Sequence, residues 1–104
     1  MIIEMRTYTL KPGSAAAYLK LYEERGLAVH KRVLGNLIGY FSTEIGDINQ
    51  VIHLWGYESF EDRQRRRAEL AREEPWLEFL QLALPYFVSQ ETKLLNGTAF
   101  SPIR

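Results

Sequence analysis

The chain contains no cysteine. Disulfides and thiolate chemistry are therefore excluded, and with them any cysteine-ligated zinc or iron–sulfur centre. It also lacks an excess of either charge, with 13 Lys and Arg against 13 Asp and Glu. Without a net positive field, nothing holds a polyanion through release of its counterions, so nucleic acid is not expected as a partner. The one basic run, Arg65-Arg66-Arg67, is flanked by Glu61, Asp62 and Glu69 and reads as a solvated helix face. No apolar stretch approaches the roughly 20 residues of a membrane span, and Glu4 and Arg6 place charges where a signal peptide needs an apolar core. A soluble protein with no membrane association and a cytoplasmic location is the expectation.

Motifs with built-in chemistry are missing as well. There is no glycine-rich phosphate loop, no nucleophile elbow and no H-x-x-x-H pair. No cofactor is expected. A metal site made from His30, His53 and Glu44 would need three separate elements to converge, so no metal is expected either.

What is present is an ordinary globular composition, 46% apolar and 25% charged over 104 residues, without linker or repeat. Residues 1–104 read as a single domain. A chain this short buries a small share of its surface, which makes pairing with a second copy a natural way to cover what is left.

Residues 2–10 are rich in β-branched and aromatic types and predict a strand that Lys11-Pro12-Gly13 stops. Ser14 can cap a helix running to about Leu34, in which Tyr18, Tyr22, Gly26, Val29, His30 and Val33 share one stripe. Gly26 on that stripe lets the backbone approach its neighbour closely. Strands over 37–45 and 49–57, joined around Gly46-Asp47-Ile48, form an antiparallel hairpin. Ser59 caps a second helix over 60–73, Pro75 opens a helical segment over 76–84, and Pro85 closes it before a last strand over 86–95. The order βαββαβ fits an α+β fold of ferredoxin-like topology, a four-stranded antiparallel sheet with its helices on one face.

Alternation puts Glu4, Arg6 and Tyr8 on one face of the first strand and Ile3, Met5 and Thr7 on the other. A two-residue turn at Asp47-Ile48 pairs Tyr40 with Trp55, Ser42 with His53 and Glu44 with Val51, and on the opposite face Phe41 with Leu54 and Thr43 with Ile52. The apolar set is expected beneath the helices. The other face, with Arg6, Tyr8, Tyr40, Ser42, His53, Trp55 and Tyr57, is expected to line a chamber closed by the sheet of a second copy.

Three blocks carry a family pattern: Glu4-Met5-Arg6-Thr7-Tyr8-Thr9-Leu10-Lys11-Pro12-Gly13, Gly39-Tyr40-Phe41-Ser42-Thr43-Glu44-Ile45-Gly46 and Asn49-Gln50-Val51-Ile52-His53-Leu54-Trp55-Gly56-Tyr57. With Arg63, Trp76 and Phe100-Ser101-Pro102 they resemble the NIPSNAP family over nearly the whole chain. The resemblance implies a dimeric α+β barrel, two sheets facing each other with helices outside. It implies no catalytic residues, because most members of the family are uncharacterised.

The candidate ligand-binding residues are thus Arg6, Tyr8, Tyr40, Ser42, Trp55 and Tyr57, with His53 as the candidate proton-transfer group. Each has a plainer role beside it. Arg6 can grip a carboxylate or pair internally with Glu4 or Glu44, His53 can transfer protons or bond within a buried polar layer, and the rings can wall a pocket or pack a dimer core. Trp76, Phe79, Leu80 and Ala83 follow helical spacing and are expected in the core or an interface. Three functions follow: a homodimer binding a small partly aromatic or carboxylate-bearing molecule, a cofactor-independent oxygenase or isomerase using His53, and a structural or adaptor protein with no ligand.

Overall fold

A computed structural model describes residues 1–104. The β-branched and aromatic run at the N-terminus forms β1 (Ile2–Leu10), and three further strands follow as β2 (Asn36–Ser42), β3 (Gln50–Tyr57) and β4 (Phe87–Asn96). The helices are α1 (Ala15–Arg25), α2 (Leu27–Leu34), α3 (Phe60–Leu70) and α4 (Glu74–Ala83), the last running into a short 3₁₀ turn at Leu84–Tyr86. The sheet order is β2-β3-β1-β4 with every neighbouring pair antiparallel, which is the expected ferredoxin-like arrangement. No helix is long and apolar enough to cross a membrane.

Local chemistry explains most of the boundaries. Ser59 accepts a hydrogen bond from the Asp62 amide at 3.0 Å and caps α3, as its position predicts. Ser14 does not act as a cap, because its hydroxyl donates to the Lys11 carbonyl at 2.6 Å and is spent in the preceding turn. The single long helix expected over 14–34 is two helices that meet at Gly26 (φ −116°, ψ −35°). Phe79 of α4 fills the space a side chain there would take: a Cβ on Gly26 would lie 3.1 Å from its ring and 3.0 Å from that of Tyr22.

The hairpin register differs from the expected one. Tyr40 faces His53, Phe41 faces Ile52 and Ser42 faces Val51, a shift of two residues, with a bulge between Leu37 and Gly39. The turn is longer than two residues, and Glu44 lies in it, exposed. An even shift keeps every side chain on its face, so the grouping of the residues survives the change of partners.

What the register does not preserve is the choice of face. Tyr8, Val51, Trp55 and Tyr57 belong to one cluster with Tyr18, Tyr22, Val29, Val33, Leu70, Trp76 and Phe79, so the helices cover the aromatic and polar face. The apolar face expected beneath them is the outer one, where Phe41 is 53% exposed and Met5, Ile52 and Leu54 are half-buried. Rings explain the choice. The large rings of the helix-side face offer more area to bury than the aliphatic set, and their tips are bonded by Arg6, Glu4 and His53 of the sheet and by Tyr18 of α1.

Candidate functional site

Glu4 of β1 is completely buried, and it sits opposite three guanidinium groups. Arg63 grips its Oε2 through Nε at 2.7 Å and Nη2 at 2.6 Å. The Tyr57 hydroxyl donates to Oε1 at 3.2 Å. Arg6 and Arg67 approach the same carboxylate only to 3.6 Å. Arg6 instead donates its Nε to the Tyr8 hydroxyl at 3.0 Å, and Nη1 of Arg67 is buried with no hydrogen-bond partner. Burial alone would lower the pKa of Arg6, but the Tyr8 phenol and the Glu4 charge outweigh it and the net shift is upward.

Arg6 and Arg67 open onto a cavity of about 270 Å³ between the sheet and the helices of the same chain. Its aromatic wall is Tyr8, Tyr18, Tyr22, Tyr40, Trp76 and Phe79. Leu80, Phe87 and, at its exposed rim, Leu84 add apolar surface, and His30 and Gln90 add polar points. The wall is interlocked: Tyr18 and Tyr40 share a hydroxyl hydrogen bond of 3.2 Å, and the Tyr22 hydroxyl meets His30 Nδ1 at 2.8 Å. Burial raises the pKa of the Tyr18, Tyr22 and Tyr40 phenols, which stay protonated at neutral pH. It also pushes Tyr57 up to about 12, with the Glu4 carboxylate adding to the effect.

The candidates from sequence divide into two groups. Arg6, Tyr8 and Tyr40 line the cavity. Trp55 and Tyr57 are buried behind its wall, and Ser42 is exposed at the end of β2; none of the three lines the cavity. The expected chamber between two sheets is therefore replaced by one between sheet and helices, and it is α1, α2 and α4 that shelter the rings.

His53 is fully buried, stacked on Tyr40 with centroids 4.5 Å apart, and its Nδ1 accepts from Trp55 Nε1 at 2.6 Å. That contact places the proton of the neutral ring on Nε2, which has no partner. Burial first, and then the charges of Arg6 and Arg67, lower its pKa to about 3. An imidazole so depressed is a weak proton acceptor near neutral pH. His30, missed as a cavity residue, is lowered to about 2 chiefly by burial, with His53 and Arg67 contributing. Its ring lies 6.0 Å from that of His53, while Glu44 stays in the exposed turn, so the considered metal set does not gather.

Arg63 and Arg67 are the residues that sequence reading underrated. Their spacing of four places both on one side of α3, and that side faces Glu4. The basic run is accordingly split. Arg65 and Arg66 pair with Asp62, Arg66 also reaches the Val33 carbonyl, and Arg67 turns inward.

Comparison with known proteins gives a consistent set of likenesses. The family model described as NIPSNAP matches residues 3–102. The chain is 37% identical over 93 residues to the protein NipSnap homolog of Dictyostelium discoideum, covering 88% of this chain and 40% of that protein. It thus spans about two-fifths of the length of the curated relatives it matches. A crystal structure of a NIPSNAP family protein from Agrobacterium tumefaciens superposes with a TM-score of 0.95 at 46% identity, covering 99% of this chain and 98% of that one. An antibiotic biosynthesis monooxygenase shares the fold at 14% identity, with a TM-score of 0.66 over 94% of this chain and 99% of its own.

Proposed function

The chain belongs to the NIPSNAP family, and from that footing we propose that it is a cytoplasmic homodimer holding a small, partly aromatic or carboxylate-bearing molecule between its own sheet and helices. The observation that carries this reading is the cavity of about 270 Å³ with a mostly aromatic wall and two guanidinium groups, Arg6 and Arg67, at one side. Small-molecule sites are largely apolar with a few polar points, and the volume is near the low end of their usual range of about 300–1,000 Å³. A ligand of one or two rings is what fits.

Pairing is supported by the outer face of the sheet. Met5, Ile38, Phe41, Ile52, Leu54 and Leu95 leave it apolar and only partly covered, a surface that a second sheet would bury. In this arrangement the dimer seam and the ligand site lie on opposite faces of each sheet.

Binding is favoured over proton-transfer catalysis because His53 neither lines the cavity nor retains ordinary basicity. A thermal-shift screen of metabolites tests the reading. Compounds that raise the melting temperature of the wild type and lose that effect in Leu80→Trp, which sets an indole where the half-buried Leu80 lines the cavity, support it. Shifts that persist in Leu80→Trp locate binding elsewhere and refute it.

A further inference from the structure

Around Glu4 the charges do not balance. Three guanidinium groups share one carboxylate, and the hydrogen bonds to that carboxylate come from Arg63 and Tyr57. Arg6 and Arg67 reach it at 3.6 Å, within ion-pair distance and beyond hydrogen-bond distance. Asp62 of α3 is committed to Arg65 and Arg66. Two cations therefore face the cavity without a carboxylate of their own.

One of them is also short of an acceptor. Nη1 of Arg67 is buried and makes no hydrogen bond: Glu4 Oε1, 3.6 Å away, compensates its charge in part but is too far to accept its proton. No carboxylate lines the cavity, while Trp76, Phe79, Leu80 and Leu84 give it apolar surface. The lining is thus amphipathic, two guanidinium groups among rings and aliphatic carbon.

We infer that the occupant is an amphipathic organic acid, its anionic group accepting from Arg67 and Arg6 and its ring or chain lying against Trp76, Phe79 and Leu80. The inference rests on the cavity reading above and adds the ligand's charge and its amphipathic character. A planar guanidinium fork suits a carboxylate. Glu4 is the positioning residue: by binding Arg63 and drawing Arg6 and Arg67 to one side of the cavity, it sets where the anion goes without touching it.

Calorimetric titration with matched pairs separates charge from shape. Indole-3-acetate, phenylacetate and hexanoate are compared with the alcohols in which the carboxylate is replaced by a hydroxymethyl group, on wild type, Arg67→Met, Arg67→Lys and Leu80→Trp. Arg67→Met leaves the Arg63–Glu4 pair intact, and circular dichroism melts confirm that each variant is folded.

At least one acid is expected to bind wild type about tenfold or more tighter than its alcohol, a preference that falls to about threefold or less in Arg67→Met and stays intermediate in Arg67→Lys. All binding is expected to be lost in Leu80→Trp. If acid and alcohol bind equally and both are lost in Leu80→Trp, the cavity stands and the acidic ligand is refuted. If no probe binds at millimolar concentration, or binding ignores Leu80→Trp, the cavity reading falls and the inference with it.

Discussion

Tyr40 lies flat on His53, ring centroids 4.5 Å apart and planes within 9° of parallel, as directly opposed residues of β2 and β3. Tyr40 faces the cavity and His53 stands behind it, so the stack joins the cavity wall to a layer of rings that includes Trp55 and His30. The properties of that layer and of the charge cluster beside it can be measured.

Glu4→Gln is expected to be among the most damaging single changes. It leaves Arg6, Arg63 and Arg67, whose side chains are only 12%, 16% and 26% exposed, without a counter-charge. A loss of about 3 kcal/mol in urea unfolding is expected, the low end for breaking a buried pair because the arginines keep some solvent. A loss below about 1 kcal/mol would contradict the buried-cluster description.

Stability should fall in acid. Burial holds the folded-state values of His30 and His53 at about 2 and about 3, against 6.5 for the free group. Between those limits the unfolded chain binds protons that the native one does not, so the stabilisation is complete above pH 6.5 and is lost as pH drops below it. Each histidine contributes a slope of up to about 1.4 kcal/mol per pH unit. Urea titrations at neutral and mildly acidic pH should show a shallower slope in His53→Gln than in wild type.

Gly26→Ala is expected to destabilise, although alanine is the better helix former. The new methyl would press on the rings of Tyr22 and Phe79 at 3.0 and 3.1 Å, and both rings are buried. Overpacking of about 1–3 kcal/mol outweighs a propensity gain of roughly 0.5–1 kcal/mol. Thermal unfolding against an exposed control at Ala28 decides the sign.

The two serines that precede helices should behave differently. Ser59→Ala removes the acceptor for the Asp62 amide and is expected to cost about 1 kcal/mol. Ser14→Ala removes no cap and should cost visibly less in the same denaturation assay.

Phe41→Glu probes the outer face of the sheet. At 53% exposure in the single chain it can accept a charge without disturbing the core. Sedimentation analysis is expected to show a dimer for wild type and a monomer for the variant, with the melting behaviour of the single-chain core retained. A monomeric wild type would remove the dimer from the proposed function.

Particular residues show how far the chain could be read from one end to the other. The strands and helices followed from alternation, helical stripes and punctuation at Gly and Pro, and β1 was placed to the residue. The grouping of Arg6, Tyr8, Tyr40, His53 and Trp55 was legible too, because a pleated strand sorts its side chains by parity and the two-residue error in register left parity alone. Arg67 was misread, since a basic run beside acids looks the same in sequence whether one arginine faces water or a cavity.

Local pattern thus established the elements, their order and which side chains travel together, since these depend on residues near one another in the chain. Which face the helices would cover, and with it the location of the cavity, was settled by contacts between distant segments: Arg63 with Glu4 and Tyr18 with Tyr40. Parity is symmetric between the two sides of a sheet. The symmetry is broken when packed helices supply apolar surface for the rings, a hydroxyl partner for Tyr40 and a guanidinium for Glu4.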